Sequence, residues 1–178
     1  MIQKSYSENV KPQYKYTHEN LIEPVVEEVL RAFPLAQQIP LQKDRVAVFS
    51  TPPHGGCGIH KDADDHKVSI NIPFMIMDNK CITSWYEDEQ FQGMEVNDTQ
   101  IKGYTRTVFP DYKEMSKFTP CKSIVVKPLE AIVLNTDIYH SWDNSKSHNW
   151  RKVLTFRPVD TANVSYDTVR QILMENKV

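Results

Sequence analysis

The stretch KVSINIPF at residues 67–74 carries an apolar side chain at every second position. Val68, Ile70, Ile72 and Phe74 would share one face of an extended strand, because successive side chains of a strand point to opposite sides. Similar short runs, rich in β-branched and aromatic residues, lie at residues 45–50, 82–87, 104–109, 123–127, 131–134 and 151–156. The chain is therefore predicted to be built mainly from short strands.

Helices are predicted only near the two ends of the chain. Residues 20–33 carry an amphipathic stripe that a capping Asn20 precedes and Pro34 ends, and residues 166–177 are typical of a short closing helix. About seven strands with no helix between them argue against a doubly wound sheet, in which strands and helices alternate. The order predicts a mainly β fold, a sandwich or jelly-roll barrel with flanking helices.

The size and charge of the chain exclude several classes of protein. Its 178 residues fit one domain, residues 1–178, and its net charge of −2 disfavours nucleic acid and anionic membranes as partners. No apolar run reaches the ~18 residues of a membrane span, and residues 1–6 lack the apolar segment of a signal peptide. Three widely spaced cysteines, Cys57, Cys81 and Cys121, disfavour a disulfide framework and favour the reducing cytoplasm.

One long segment lacks a clear pattern. Residues 88–120 are polar and are interrupted by Gly93, Gly103 and Pro110. Segments of this length inside a compact domain are usually functional or mobile. Two interpretations stay open, a functional segment and a surface insertion without consequence.

A metal site is predicted from two histidines and an aspartate. His60 and Asp62 are two positions apart, so their side chains point the same way from an extended segment. His140, far along the chain, supplies a third ligand, and two histidines with one carboxylate form the facial triad of non-haem Fe(II) sites. The other four histidines are predicted to be exposed polar residues: His18, His54, His66 and His148.

Arg151, eleven positions after His140, is the predicted anion-binding residue. If His140 ends one strand and a tight turn follows, Arg151 begins the antiparallel neighbour and points into the same cavity. Its flanks, Trp150 and residues 153–154, are apolar, and a buried arginine requires a partner. A guanidinium binds a carboxylate in bidentate fashion, so an anionic co-substrate is the predicted partner.

These residues resemble the Fe(II)- and 2-oxoglutarate-dependent oxygenases over residues 58–157. The similar segment RKVLTFR at residues 151–157 matches the RxNxTFR pattern of the nucleic-acid demethylase branch, with Val153 in the asparagine position. Residues 69–74 resemble the corresponding strand of small phage-type and aspartyl-hydroxylase-like members. The remaining matches are His60-x-Asp62, Lys127-Pro128, His140 and Asn144.

The resemblance implies a double-stranded β-helix, a cupin-like jelly-roll barrel with the metal at its open end. His60, Asp62 and His140 would hold Fe(II), and Arg151 would bind the distal carboxylate of 2-oxoglutarate. Asn71 and Arg157 would be further contacts to the co-substrate. The implied reaction consumes dioxygen and 2-oxoglutarate, releases succinate and carbon dioxide, and hydroxylates a substrate.

The substrate class stays open at this stage. Tyr86, Trp142, Tyr104 and Arg106 are candidate substrate contacts, with either Tyr86 or Trp85 expected to line the cavity. The first hypothesis is a hydroxylase of a small molecule, an amino acid or a protein side chain. The alternatives are a repair-type nucleic-acid demethylase, which the net charge disfavours, and a non-catalytic jelly-roll binding module.

Overall fold

The structure is a computed structural model, and the chain is described in several ranges. These are residues 2–5, 13–16, 27, 31, 39, 46–62, 67–75, 78–94, 97–101, 104–108, 112–158 and 164–175. Within them no helix has both the length and the apolar character that crossing a bilayer requires.

The described residues include twelve strands and an α-helix near the end of the sequence. The strands are β1 (Ile2–Ser5), β2 (Gln13–Tyr16), β3 (Ala47–Thr51), β4 (Gly56–Lys61), β5 (Val68–Met75), β6 (Ile82–Trp85), β7 (Asn97–Ile101), β8 (Tyr104–Val108), β9 (Lys122–Val125), β10 (Ile132–Asn135), β11 (His140–Asp143) and β12 (Arg151–Phe156). The helix α1 is Tyr166–Glu175, and two 3-10 turns span Asp88–Phe91 and Tyr112–Lys117.

The strands form two antiparallel sheets of six strands each. The first sheet has the order β1-β2-β3-β12-β5-β10, and the second has the order β7-β8-β4-β11-β6-β9. Consecutive strands change sheets from β3 to β6 and again from β9 to β12. The prediction of a mainly β fold is confirmed.

The main apolar core lies on one face of the first sheet. Ile70 and Ile72 of β5 pack with Leu154 and Phe156 of β12, and Val169 of α1 packs against this cluster. All five side chains are at most 4% exposed. The alternation therefore marks a buried face from Val68 to Ile72, whereas Phe74 is 40% exposed. Helix α1 packs against this face.

The opposite face of the same two strands is polar. Ser69 and Asn71 of β5 and Thr155 of β12 alternate with the core residues, so they point away from α1. They line a cavity that residues of the second sheet also line, so the cavity lies between the two sheets. The space between the sheets thus holds polar side chains instead of the main core.

Every strand predicted from the sequence overlaps an observed strand, but five strands were not predicted. These are β1, β2, β4, β7 and β11. The sequence of β4, GCGIHK, resembles a turn because of its two glycines, yet pairing with β8 and β11 makes it a strand. Tertiary pairing overrides weak local propensity here.

The structure tests the predicted helices to different extents and shows regular structure in the long polar segment. In the predicted helix at 20–33 only Glu27 and Arg31 are described, and both are helical, while the rest lies outside the described residues. The closing helix is confirmed as α1. Within residues 88–120 the described part contains both 3-10 turns and the β7–β8 hairpin, which extends the second sheet next to β4.

Replacing Leu154 by alanine tests the position of the core. Leu154 is fully buried, so Leu154→Ala should lower the free energy of unfolding by about 2–5 kcal/mol through lost burial and a residual cavity. The matched control is Val125→Ala on β9, where the side chain is 45% exposed and the expected change stays within about 0.5 kcal/mol. Urea denaturation measures the free energy of unfolding of both variants. Equal losses of stability would contradict the assignment of Leu154 to the core.

Candidate metal centre and anion site

The pairing of β4 with β11 brings the two predicted histidine ligands together. His60 lies opposite His140 in the antiparallel register, and their ring centroids are 4.3 Å apart. Both side chains are buried. With Asp62 they form a group of three whose ligand atoms all lie within 4.8 Å of one another, which could hold a metal ion.

Backbone carbonyl groups orient both imidazole rings. Nδ1 of His60 lies 2.7 Å from the carbonyl oxygen of Gly58, and Nδ1 of His140 lies 2.8 Å from that of Ile138. A carbonyl oxygen only accepts hydrogen bonds, so Nδ1–H is the donor in each case and Nε2 of the neutral ring carries the lone pair. This is the arrangement of metal-binding histidines, in which the other ring nitrogen is held by a backbone or carboxylate acceptor.

Asp62 is held in place by two contacts. Its backbone N–H donates to the carbonyl oxygen of Thr136 at 3.0 Å, which ties the end of β4 to the segment before β11. Its Oδ2 accepts a hydrogen bond of 2.7 Å from Nη2 of Arg157 in an ion pair that is largely buried. Oδ1 lies 3.9 Å from Nε2 of His60, so the oxygen that Arg157 does not hold faces the histidines.

A cavity lies between the two sheets. Asp62 and His140 lie in its wall, together with Asn71, Arg151 and Arg157. Ser69 Oγ donates a hydrogen bond of 2.9 Å to the side-chain oxygen of Asn71. Two of the three candidate metal ligands, Asp62 and His140, and all three predicted co-substrate contacts therefore border one cavity.

Arg151 is buried without an acidic partner. Its side chain is 4% exposed, and its Nε–H has no hydrogen-bond partner among the described residues. No carboxylate of the described part of the chain forms an ion pair with it, in contrast to Arg157. Burial lowers the pKa of Arg151, because desolvation disfavours the charged form, and the thiols of Cys81 and Cys57 oppose this shift.

The route by which Arg151 reaches the cavity differs from the prediction. His140 begins β11 rather than ending a strand, and β11 belongs to the second sheet, whereas Arg151 begins β12 of the first sheet. The two strands are therefore not neighbours, and the prediction that they pair is wrong. Both residues still line the same cavity, because the two sheets enclose it from opposite sides.

The structure separates the predicted substrate contacts. Trp142 lines the cavity, and its role as a substrate contact stays a prediction. Tyr86 instead packs in a core cluster with Ile59 and Phe91, and its hydroxyl group lies 3.0 Å from Oγ of Ser141. Neither Tyr86 nor Trp85 is among the residues that line the cavity, so the expectation that one of them would is corrected. Burial raises the pKa of Tyr86, which fits a core position.

Tyr104 and Arg106 lie on β8, which pairs with the strand that carries His60. Val108 of β8 is the direct partner of His60 in this register. The long polar segment thus adjoins the metal-ligand strand through its backbone. The role of Tyr104 and Arg106 in substrate binding stays a prediction.

Several cavity residues were not predicted from the sequence. They are Phe49, Ser69, Thr83, Leu134, Thr136, Val153 and Thr155. The signal for Val153 and Thr155 was present, because they stand at alternate positions between Arg151 and Arg157 on one strand face. Ser69 likewise stands two positions before Asn71 on β5, whereas Phe49, Thr83 and Leu134 come from strands whose order in the sheets no local pattern reveals.

Two further histidines lie away from this site. Nδ1–H of His54 donates to the carbonyl oxygen of Ser145 at 2.7 Å, and the His54 ring packs edge-on against His148 at 4.7 Å. They belong to the loops that precede β4 and follow β11, at the opposite end of these strands from the His60–His140 pair. His18 and His66 lie outside the described residues.

Comparison with protein-family models and with curated proteins finds no match. Among solved structures, an L-ribose isomerase mutant of Acinetobacter sp. DL28 in complex with L-ribose is 13% identical with a TM-score of 0.42, over 92% of this chain and 66% of the isomerase. Peruvianin-I, a cysteine peptidase from Thevetia peruviana latex, is 8% identical with a TM-score of 0.36, over 64% of this chain and 49% of the peptidase. The chain spans less than two thirds of either protein, and likenesses this weak support no functional inference.

Removing both histidines tests the metal centre. The double variant His60→Ala/His140→Ala should lose Mn(II) binding, because one carboxylate remains of three ligands. Titration followed by electron paramagnetic resonance measures free Mn(II) directly. His148→Ala is the matched control and should bind as the wild type does, since His148 lies in the distant loop. Mn(II) binding that survives in the double variant would contradict the site.

Proposed function

We propose that the protein is an Fe(II)- and 2-oxoglutarate-dependent dioxygenase that hydroxylates a small molecule, an amino acid or a protein side chain. The observation that carries this proposal is Arg151, a buried guanidinium group without an acidic partner among the described residues. It lines one cavity with Asp62 and His140, which form the candidate metal-ligand group together with His60. A metal site and a separate cationic site that border one cavity suit a co-substrate with two acidic ends.

The donor set fits Fe(II). Two imidazole nitrogens and one carboxylate oxygen on one side of a metal leave the remaining positions open, as in the facial triad of non-haem iron oxygenases. The hydrogen bonds from Nδ1 of His60 and His140 leave Nε2 of each ring for the metal. Arg157 pairs with Oδ2 of Asp62, while Oδ1 of Asp62 faces the histidines.

The anion site fits the distal carboxylate of 2-oxoglutarate. Burying a cation without a counterion is costly, so the cavity favours a ligand that supplies a negative charge at Arg151. Val153 and Thr155 follow Arg151 on the same strand face, towards Arg157 and the metal ligands. This wall offers a cationic end followed by the apolar side chain of Val153, which match a carboxylate and the methylene group behind it.

Each residue then has a defined role. When bound, Fe(II) with 2-oxoglutarate and dioxygen would supply the oxidation, in which 2-oxoglutarate becomes succinate and carbon dioxide and one oxygen atom enters the substrate. His60, Asp62 and His140 hold the metal, and Arg157 fixes the orientation of Asp62. Arg151 binds and orients the co-substrate, while Trp142 and Leu134 exclude water from the cavity.

The proposed architecture is a double-stranded β-helix. It is supported by the strands that change sheets from β3 to β6 and from β9 to β12, and by metal ligands on the paired strands β4 and β11 or directly after β4. The cytoplasm is the proposed location, since Cys57, Cys81 and Cys121 are free thiols.

Production of succinate tests the proposed activity. The wild-type chain with Fe(II), 2-oxoglutarate and oxygen should release succinate in a screen of amino acids, peptides and alkylated oligonucleotides. His140→Ala should abolish the release because a metal ligand is lost, and His148→Ala should retain it. Absence of succinate with every substrate class would overturn the proposal. Turnover confined to oligonucleotides, with steeply salt-dependent binding, would favour the demethylase alternative.

Replacing Arg151 separates the co-substrate site from the metal site. Arg151→Met should raise the 2-oxoglutarate concentration for half-maximal binding on the order of 100-fold, since charge-assisted hydrogen bonds are lost. The 2-oxoglutarate affinity of Arg151→Lys should lie between those of the wild type and Arg151→Met, because lysine keeps the charge and loses the bidentate geometry. Calorimetry with Mn(II)-loaded protein under nitrogen measures these affinities. Unchanged 2-oxoglutarate binding in Arg151→Met would refute the role of Arg151.

A further inference from the structure

Trp142 contacts the buried cation that lacks an acidic partner. The guanidinium carbon of Arg151 lies over the Trp142 ring, 5.5 Å from its centroid. This is within the ~6 Å over which a cation is attracted by the negative face of an aromatic ring, and the attraction is strongest for tryptophan and for desolvated pairs. Both side chains are buried, at 4% and 8% exposure.

The position of the indole is fixed from several sides. Its N–H donates a hydrogen bond of 3.2 Å to Oγ1 of Thr51. Thr51 is the direct partner of Arg151 in the register of β3 and β12, so this bond links the second sheet to the strand beside Arg151. The ring also lies edge-on to Phe49 at 6.3 Å and to His60 at 5.4 Å. Trp142 therefore spans the space between the anion site and the metal site.

We propose that Trp142 is the positioning residue of the anion site: its ring face holds the Arg151 guanidinium so that the N–H groups stay open to an incoming carboxylate. An aspartate or glutamate in this place would occupy those N–H groups and repel the ligand. An aromatic ring instead attracts the cation through its face and accepts none of the in-plane hydrogen bonds. The identity of the ligand as 2-oxoglutarate rests on the proposed function, whereas the contact between Trp142 and Arg151 does not.

This inference changes the role of Trp142 from the predicted substrate contact to a part of the co-substrate site. A purely structural role for Trp142 makes a different prediction. If Trp142 only filled space, its loss would weaken the fold equally with or without a charge at position 151. It would also disturb the neighbouring His60 and the anion site alike.

A double-mutant cycle in the ligand-free full chain tests the contact. The variants are Trp142→Leu, Arg151→Met and the two combined, with Trp142→Phe as a variant that keeps a ring. Urea denaturation should show that Trp142→Leu raises the equilibrium constant for unfolding about tenfold more in the wild-type background than in the Arg151→Met background. Trp142→Phe should show a smaller difference. Equal effects of Trp142→Leu in both backgrounds would overturn the proposal.

Separate titrations of metal and dicarboxylate test the positioning role. Trp142→Leu should weaken binding of 2-oxoglutarate to the Mn(II)-loaded protein about tenfold and change the Mn(II) affinity less than about twofold. Thr51→Val, which removes the hydrogen bond to the indole and keeps the ring, should weaken 2-oxoglutarate binding by a smaller factor. Equal losses of Mn(II) and 2-oxoglutarate affinity, or unchanged 2-oxoglutarate binding, would overturn the proposal.

The two proposals can fail separately. The double-mutant cycle is measured without metal or co-substrate. It therefore tests the contact between Trp142 and Arg151 even if the wild type produces no succinate. Conversely, succinate production together with a cycle that shows no coupling would retain the proposed activity and reject the role of Trp142.

Discussion

The antiparallel pairing of β4 with β11 is the constraint on which the candidate site depends. It sets His60 opposite His140 across two neighbouring strands. Asp62 joins them because the chain continues in extended form past Lys61 and is tied to Thr136 by a backbone hydrogen bond. A shift of this register by one residue would place the two imidazoles on opposite faces of the second sheet and so separate the two candidate ligands.

An apolar cluster on the outer face of the second sheet stabilises the register of β4 and β11. Ile59 and Tyr139, next to the two histidines in sequence, pack with Phe91 on the face away from the cavity. Lys61 adds to this face, since its ammonium group lies 4.6 Å from the centre of the Tyr139 ring and pairs with Asp88. The start of the long polar segment therefore supports the strands that carry the ligands.

The unusual feature of the fold is that polar and charged side chains lie between the two sheets. The first sheet turns its apolar face to α1 and its polar face to the second sheet, so the space between the sheets can hold buried charges. Two arginines on one strand face reach that space with different partners. Arg157 is neutralised by Asp62, and Arg151 lies on the ring of Trp142. A fold built for stability alone would fill such a space with apolar side chains, because buried charges rarely stabilise.

Much of the site was predictable because it depends on short-range geometry. The same-side placement of His60 and Asp62 follows from strand periodicity, and the strand at residues 67–74 follows from its alternation. The core position of Tyr86 was not predictable. Trp85 and Tyr86 are adjacent and both aromatic, so the sequence did not show which of them faces the cavity. The strand β4 was missed because its glycines weaken the local signal and its pairing comes from residues far along the chain.

The amino-acid order alone determined the mainly β composition and the same-side placement of the candidate ligands His60 and Asp62, and it pointed to Arg151 as a candidate anion-binding residue. Each of these rests on side-chain chemistry or on a two-residue period. The remaining features of the site were decided by the tertiary structure. Only the sheet order shows that β11 and β12 lie on opposite sides of the cavity, that Arg157 pairs with Asp62 and that Trp142 meets Arg151. The physical reason is that strand pairing joins residues far apart in sequence, and nothing local to either strand encodes its partner.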